Sequence, residues 1–520
     1  MTITMSRGAS RGAVVVAAAA AIAVTGCALP ASADGPAPPL AWEECGTGFD
    51  CATVPVPVDH AEPDGARLDL GLVRHSATDP ERRLGTLLVN PGGPGAPADT
   101  MVRTIGTPAS LFGPELEARY DIVGMDPRGV GASDQVQCLT DAEREANLAL
   151  DLDPTLSGGL PLPQLRAEAR ELAIGCAEAV DPALLGQLST AEVARDMDLV
   201  RAALGEERIS YLGLSYGTLL GATYATMFPE RVQHMVLDEP VHPVRWQEDP
   251  LAATVDQVVS AEALLDRYFA TCATEGPACP FGAGRPAEAF DALVERLEAQ
   301  PLAVAATPAT PEGRVDGATA LLAARTAVFD RRLWPVLTAG LVAAEQGDGS
   351  VLYALSAALL RHLDGSPNAF AESNMAVNCL DRAVPADPAA HDRNAERLRE
   401  LAPRFGTISG YVTLTCTEWP VANPNRFTGP LTGAGAPPIL VIGGREDSQT
   451  PYSWAEAMAD VLETGVLLTR DGVGHGSYRT SGPCVDEAVE RYLTTGEAPE
   501  PGTVCPQEPA ATASPAALGK

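Results

Sequence analysis

Seven short apolar segments, each followed by a glycine-rich turn or a helical pattern, constrain the fold of this 520-residue chain more than any other feature. Several of them are apolar at consecutive positions, which is typical of strands buried on both faces between layers of helices. This alternation predicts an α/β fold with a mostly parallel sheet flanked by helices. The segments span residues 68–77, 85–93, 120–129, 209–217, 232–240, 437–446 and 465–474.

One long interruption divides this series. Residues 242–430 show no strand of this kind and carry helical patterns such as AEALLDRYFATC (261–272) instead. We therefore expect residues 34–241 and 431–505 to form one core, with 242–430 inserted as a mainly helical cap. The cap lies between the segments 232–240 and 437–446, which we number as the sixth and seventh strands of the core. Residues 506–520 are rich in proline and alanine, and we expect them to form a disordered tail.

The first 33 residues have the features of an export signal. Arg7 and Arg11 precede an apolar run at 13–24 that is too short to span a bilayer as a stable helix. Two cleavage sites compete: VTGC, which would make Cys27 the lipidated first residue of a lipoprotein, and ASA, which ends at Ala33. We favour lipidation because VTGC directly follows the apolar run. With either site the mature protein is exported, as a cell-surface lipoprotein or a secreted protein.

The cysteine count agrees with export. Ten cysteines remain after Cys27, and an even number in an oxidising compartment suggests five disulfides. Pairing between sequential neighbours is our hypothesis, since it closes short local loops.

Charge and motif content exclude several function classes. The net charge of −32 argues against nucleic acid or an anionic membrane surface as the main partner. Neither CxxC nor HExxH occurs, so we expect no metal site, and we expect no cofactor.

The pentapeptide Gly213-Leu214-Ser215-Tyr216-Gly217 fits the pattern G-x-S-x-G. It follows a predicted strand and opens the helical pattern TLLGATYATMF, which is the setting of a nucleophile elbow. A serine in such a turn stands clear of the sheet, where a base and a substrate carbonyl can both reach it. The alternative, a serine that only caps the following helix, does not explain the flanking glycines. We therefore predict Ser215 as a nucleophile.

A nucleophilic serine needs a base, and the base needs a carboxylate to orient it. Among seven histidines, only His475 lies in a glycine-rich loop, DGVGHGSY, after the last predicted strand. Asp447, in GGREDSQTP after the preceding strand, is the favoured carboxylate, with Asp238 and Glu446 as rivals. The order Ser215, Asp447, His475 is that of α/β-hydrolases.

Acyl transfer also needs hydrogen-bond donors for the developing oxyanion. The residue after the nucleophile, Tyr216, supplies one backbone N–H. The loop NPGGPG (90–95) follows a predicted strand on the N-terminal side of the sheet, where the second donor of this fold is found. We predict Gly93, or else Gly92, as that donor because glycine permits a close backbone approach.

Together these motifs resemble a known family. GGPG, DPRGVGASD (126–134), GLSYG, the D-x-x-T-P that begins at Asp447, and GHG at His475 are similar to those of secreted actinobacterial tripeptidyl aminopeptidases. The likeness extends from WEECG (42–46) to Cys484. It implies an α/β-hydrolase fold with a helical cap, and a serine exopeptidase that releases short peptides from free N-termini.

The resemblance also implies that buried carboxylates near the cap hold the substrate's ammonium group. Asp381, Glu418 and Glu239 are the candidates. Glu239 marks a departure, because the family usually continues with glycine after Leu-Asp, whereas Glu239-Pro240 stands here. A cell-envelope carboxylesterase or lipase with the same triad remains the alternative, since fold and triad do not set the substrate. A third hypothesis is a binding protein on a catalytically inactive hydrolase scaffold. The presence of Ser215, Asp447 and His475 argues against it.

Overall fold

Parallel strands buried on both faces form the centre of the molecule. In the computed structural model, which describes residues 40–148, 162–307, 311–362, 365–421, 423 and 425–508, ten strands form one sheet. The strand order is β1-β2-β3-β5-β4-β6-β7-β10-β11-β12. The strands are β1 Glu43–Glu44, β2 Asp50–Pro57, β3 Arg67–His75, β4 Gly85–Asn90, β5 Tyr120–Met125, β6 Ile209–Leu214, β7 Val232–Asp238, β8 Leu302–Val304, β9 Gly313–Val315, β10 Ile439–Glu446, β11 Gly465–Val473 and β12 Val504–Pro506.

Only the first edge of this sheet is antiparallel. β1, β2, β3 and β5 pair antiparallel in succession, whereas all strands from β5 through β4 to β12 pair parallel. All six residues of β4 are buried, as expected for a strand covered by helices on both sides. The predicted α/β-hydrolase architecture is confirmed by this sheet.

Helices cover the sheet and build the insertion. The α-helices are α1 Asp99–Val102, α2 Pro114–Arg119, α3 Asp141–Leu148, α4 Leu162–Ala179, α5 Pro182–Leu185, α6 Thr190–Ala203, α7 Tyr216–Met227, α8 Arg245–Glu248, α9 Pro250–Glu275, α10 Pro286–Ala299, α11 Gly317–Ala327, α12 Trp334–Glu345, α13 Ser350–Ser356, α14 Phe370–Asp381, α15 Pro388–Leu401, α16 Phe405–Ser409, α17 Tyr452–Val461 and α18 Pro483–Thr495. In the described chain no helix combines the length and apolar character needed to cross a bilayer.

The helical region between β7 and β10 has a hydrophobic core of its own. Phe269, Phe290 and Leu341 are buried in that cluster. β2 was not among the seven predicted segments; when it is counted and the two-residue strand β1 is left aside, the region follows the sixth strand of the main sheet. It also contains the short antiparallel pair β8–β9, which the sequence did not predict because each strand has only three residues.

Five disulfides join sequential cysteines, which confirms the predicted pairing. They are Cys45–Cys51, Cys138–Cys176, Cys272–Cys279, Cys379–Cys416 and Cys484–Cys505. The predicted leader 1–33 with Cys27, and all of the predicted tail after residue 508, lie outside the described residues.

Candidate active site

Ser215 lies in a tight turn between β6 and α7. Its backbone has φ 56° and ψ −123°, a conformation that costs a non-glycine residue about 1 kcal/mol or more. A Cβ on Gly213 would lie 2.5 Å from the carbonyl oxygen of Gly217, and one on Gly217 would lie 2.8 Å from that of Asn90. The spacing G-x-S-x-G therefore reflects close backbone packing around a strained serine.

The turn that carries Ser215 is anchored to the neighbouring strand. The backbone N–H of Ser215 donates to the carbonyl oxygen of Asp238 at the end of β7, over 2.9 Å. Its carbonyl accepts from the backbone N–H of Thr218 at 2.9 Å. The Ser215 side chain makes no hydrogen bond of its own in the described chain, to His475 or elsewhere. Catalytic hydrogen bonds of this kind often tighten only when substrate binds.

His475 and Asp447 form a hydrogen-bonded pair at the same edge of the sheet. Nδ1 of His475 lies 2.8 Å from Oδ2 of Asp447, and both side chains are buried. A carboxylate only accepts, so Nδ1 carries the proton and Nε2 is left as the acceptor that a general base requires. The structure thus places Asp447 on the imidazole, and not the rivals Asp238 or Glu446.

Asp447 is held by its own loop as well. Oδ1 accepts from the backbone N–H groups of Gln449 at 2.6 Å and Thr450 at 2.8 Å, and Oδ2 accepts from the Thr450 hydroxyl at 3.0 Å. Burial alone would raise the pKa of Asp447, but the charge of His475 and these hydrogen bonds hold that pKa below its usual value. The carboxylate is therefore ionised at neutral pH.

The rival Asp238 has a different position. Its carboxylate accepts from the backbone N–H groups of Ser477, at 3.1 and 3.2 Å, and Tyr478, at 2.9 Å, just after His475. Through its backbone carbonyl Asp238 therefore contacts the turn that carries Ser215, and through its carboxylate it contacts the loop that carries His475. The Glu446 side chain lies at the surface, where its Oε2 is 3.7 Å from Nε of Arg267.

The glycine-rich loop after β4 approaches the serine turn. A Cβ on Gly92 would lie 3.0 Å from Cβ of Ser215 and 3.1 Å from the backbone nitrogen of Tyr216. The Gly92 N–H donates to Oδ1 of Asn90 at 2.9 Å, so that donor is already used. The predicted donor pair for an oxyanion is therefore reduced to the N–H groups of Gly93 and Tyr216.

The helical insertion contacts the site on two sides. The backbone N–H of His475 donates to the carbonyl of Phe329 at 2.7 Å, and the two rings meet edge to face with centroids 4.8 Å apart. Gln257 of α9 donates to the Gln449 carbonyl at 2.8 Å. On the other side, Asn374 of α14 donates to the Pro94 carbonyl at 2.9 Å.

The three carboxylates expected to bind a substrate amine do not share one site. Asp381 is buried and accepts from the backbone and hydroxyl of Thr190. Glu418 pairs with Arg170 at the surface, and Glu239 is buried against Arg470. Each carboxylate has a partner within the described chain, and the amine-binding role that the resemblance implied for them stays a prediction.

Sequence reasoning missed Arg470 and Phe329. Arg470 follows the mainly apolar run VLLT (466–469) of β11 and is fully buried, whereas the next residue, Asp471, is exposed. A charge in such a run requires a buried partner, which is a signal that the sequence does carry. Phe329 lies between two helices of the insertion and has no comparable signal.

Comparisons with known proteins identify the family of this chain. A family model described as alpha/beta hydrolase fold matches residues 85–279, and one described as TAP-like protein matches residues 402–505. The chain is 32% identical over 487 residues to serine protease Hip1 of Mycobacterium tuberculosis, which covers 90% of this chain and 91% of that protein. It is 32% identical over 481 residues to a tripeptidyl aminopeptidase of Streptomyces lividans, which covers 89% and 86%.

A third relative has a different name. Carboxylesterase B of Mycobacterium tuberculosis is 33% identical over 464 residues, 88% of this chain and 86% of that protein. Identity to these relatives exceeds 30% over almost the whole chain. The parallel sheet and the serine elbow indicate the same family. The chain belongs to the α/β-hydrolase family, with the TAP-like proteins, and is a serine hydrolase.

Proposed function

We propose that this protein is an exported serine exopeptidase that releases short peptides, with tripeptides as the expected unit, from free N-termini. The observation that carries the proposal is the Asp447–His475 pair, 2.8 Å apart, at the same edge of the sheet as a serine in the turn between β6 and α7. The names of the two peptidase relatives support peptides as the substrate class.

In the proposed mechanism, Ser215 Oγ attacks the scissile carbonyl while Nε2 of His475 takes its proton. The backbone N–H groups of Gly93 and Tyr216 hold the oxyanion. The protonated imidazole then gives its proton to the leaving amine, and an acyl-enzyme remains on Ser215. Water, activated by the same histidine, hydrolyses the ester and frees the peptide. Asp447 fixes the imidazole tautomer and stabilises the imidazolium in both halves of the cycle.

The decisive experiment compares three substrates. Hydrolysis of tri-alanyl p-nitroanilide with a free N-terminus is expected to exceed that of the N-acetylated form by at least about 100-fold, because the exopeptidase reading requires recognition of the ammonium group. Hydrolysis of p-nitrophenyl butyrate is measured beside them. Cleavage of the blocked peptide and the ester, with no cleavage of the free peptide, would overturn the proposal and favour the esterase reading suggested by carboxylesterase B.

The nucleophile is tested separately. A fluorophosphonate probe is expected to label the wild-type protein and not S215A. S350A, which changes another serine at a helix start but within the insertion, serves as the matched control and should label normally. Equal labelling of S215A and the wild type would remove Ser215 from the mechanism.

Anchoring through Cys27 is part of the proposal. The five disulfides fit an extracellular location, and the lipobox VTGC supports a lipidated N-terminus. Mass measurement of the mature N-terminus tests this, with a diacylglyceryl-modified Cys27 expected. An unmodified N-terminus after Ala33 would show free secretion.

A further inference from the structure

Arg470 contacts the loop that carries the base. It stands near the end of β11, and its side chain is fully buried. Nη2 of its guanidinium donates to the carbonyl oxygen of Gly474 at 2.6 Å, and Nε donates to the hydroxyl of Ser477 at 3.0 Å. One side chain therefore contacts the histidine loop, residues 474–478, on both sides of His475.

The histidine loop has few restraints of its own. His475 is flanked by Gly474, with φ 104°, and Gly476, with φ 91°. Residues other than glycine rarely adopt such conformations, and glycine loses more conformational entropy on folding than any other residue. A Cβ on Gly476 would have no neighbour within 4 Å, so close packing does not restrict the loop there. Contacts from other elements are therefore needed to keep the imidazole in one orientation.

Glu239, which directly follows β7, fixes the guanidinium. Its carboxyl group is fully buried. Oε1 accepts from Nη2 of Arg470 at 2.9 Å and from Nε at 3.3 Å, and also from the hydroxyl of Ser477. Oε2 accepts from the backbone N–H of Gly444 on β10 at 2.7 Å. The two side chains thus connect β7, β10 and β11 to the histidine loop.

Gly444 leaves the space that this pair of side chains occupies. A Cβ on Gly444 would lie 2.5 Å from Cζ of Arg470 and 2.7 Å from Oε1 of Glu239. The φ of Gly444 is not in the left-handed region, so its backbone conformation does not require glycine. The contact between Glu239 and Arg470 does require it.

Stability alone does not explain this arrangement. Glu239 has φ 55°, which is sterically unfavourable for a residue other than glycine. Nη1 of Arg470 is buried and makes no hydrogen bond within the described chain, and a buried donor without a partner is destabilising. Apolar residues in place of a buried ion pair are often neutral or stabilising. A strained and incompletely hydrogen-bonded pair indicates a further role, and its contacts lie on the loop of the base.

We propose that Arg470 is a positioning residue for His475. Its guanidinium, fixed by Glu239, hydrogen-bonds the histidine loop at Gly474 and Ser477. It thereby keeps the imidazole in the orientation in which it serves as the base. Arg470 acts through the loop and not on the substrate itself. This role rests on the triad of the proposed function but not on the substrate class.

The decisive variant is R470K. Lysine keeps the positive charge, but its single ammonium group cannot reproduce the planar fork that reaches Gly474 and Ser477 together. The measurements on the purified full-length protein are kcat, KM, the pH profile of kcat/KM, the fluorophosphonate labelling rate and the melting temperature.

The matched control is R201K. Arg201 is also buried, and it also donates from Nε and Nη2 to one carboxylate, that of Asp198, at 2.7 and 3.1 Å. Its Nη1 donates to a backbone carbonyl, that of Glu206, at 2.6 Å. Arg201 lies in the last turn of α6, just before β6 begins, and so at the edge of the sheet opposite the triad.

We expect R470K to lower kcat and the labelling rate at least about tenfold with KM within about twofold, because an oriented base acts mainly in the transition state. The acidic limb of the pH profile should stay in place, since lysine retains the positive charge. R201K should lower the melting temperature without changing kcat. This control separates loss of a buried arginine from loss of positioning.

S477A tests one of the contacts directly. It removes the hydroxyl that joins Arg470 to the loop but leaves the contact with Gly474, so the labelling rate should fall about threefold. The double variant R470K/S477A should lose little more than R470K alone, because both changes act on one network of hydrogen bonds.

Three results would overturn the proposal: wild-type kcat and labelling in folded R470K, a loss in R470K that appears only in KM, or fully additive losses in R470K/S477A. If R470K does not fold, wild-type labelling in S477A would overturn it instead. The labelling rate needs no peptide. A wild-type protein that is labelled but cleaves no peptide would therefore count against the proposed exopeptidase and leave the role of Arg470 still measurable.

Discussion

The backbone N–H of Ser215 donates to the carbonyl of Asp238 over 2.9 Å. The Asp238 carboxylate in turn accepts from the backbone N–H groups of Ser477 and Tyr478, in the loop that carries His475. One residue on β7 therefore links the serine turn after β6 to the histidine loop after β11. The parallel order β6-β7-β10-β11 makes this link possible, because the carboxyl ends of these strands lie at one edge of the sheet.

This link distinguishes the roles of two buried acids. We expect D447N to lower kcat about 10⁴-fold, because asparagine can favour the wrong imidazole tautomer. D238N should lower kcat far less, about 10-fold, and should lower the melting temperature more, since its contacts are to backbone N–H groups. Steady-state kinetics and thermal unfolding of both variants provide the check. A larger loss of kcat in D238N than in D447N would reverse the assignment of the orienting acid.

Gly92 tests the geometry of the oxyanion loop. It has φ 96°, and a Cβ there would lie 2.5 Å from the Leu214 carbonyl. We expect G92A to lower kcat at least about 100-fold, because the loop must move away from the Tyr216 N–H. G48A is the matched control: Gly48 has φ 83° but nothing within 4 Å of its Cβ position. G48A should lose about 1 kcal/mol of stability from backbone strain alone, and G92A at least as much. Equal activities of the two variants would contradict the prediction.

Phe329 links the helical insertion to the base. Its ring packs edge to face against the His475 imidazole, with ring centroids 4.8 Å apart. F329A removes this contact, which restricts the orientation of the imidazole. We expect kcat/KM to fall about tenfold in F329A. L322A, which changes a 42% exposed side chain of α11, should retain wild-type kcat/KM. An unchanged F329A would show that the backbone hydrogen bond alone suffices to hold the loop.

Local motifs account for what the sequence predicted correctly. Ser215 and Asp447 directly follow β6 and β10, and His475 follows β11 after one glycine. The strand pattern was therefore enough to bring them to one edge; their catalytic roles stay predictions. The disulfide pairing was confirmed because short loops close most easily.

Contacts between distant segments account for what the sequence did not predict. Glu239 and Arg470 are 231 positions apart, and their contact depends on how β7, β10 and β11 stack. The sequence indicates that a buried Arg470 guanidinium requires an acidic partner, but it does not indicate which residue that partner is. The contact of Asp381 has the same character: the sequence does not show that the helix carrying it turns its carboxylate to Thr190.

Asp381 should make stability depend on pH. Burial raises its pKa to about 6, so the folded state binds this proton more tightly than the unfolded state does. The stabilisation is complete below the unfolded pKa of about 3.8 and is lost as pH rises through about 6, up to roughly 3 kcal/mol in all.

Urea unfolding at pH 4 and pH 7 measures this effect. D381N should reduce the loss of unfolding free energy between the two pH values by about 2 kcal/mol relative to the wild type, because pH 4 already lies just above the unfolded pKa. Asp126, whose pKa burial also raises to about 6, stays in place, so part of the pH dependence should persist. D64N, at an exposed position, should behave as the wild type. A D381N protein with the full wild-type loss would contradict the prediction.

The two disulfides of the insertion should differ in their contribution to stability. Cys379–Cys416 closes 37 positions and Cys272–Cys279 only 7. From loop entropy alone, C379A/C416A should lose about 4 kcal/mol of unfolding free energy and C272A/C279A about 2 kcal/mol.

The Cys379–Cys416 disulfide also tethers α14, whose Asn374 donates to the carbonyl of Pro94 in the oxyanion loop. C379A/C416A should therefore lose peptidase activity at a lower urea concentration than C272A/C279A. Equal midpoints for unfolding and for activity in the two variants would show that loop length does not govern either property here.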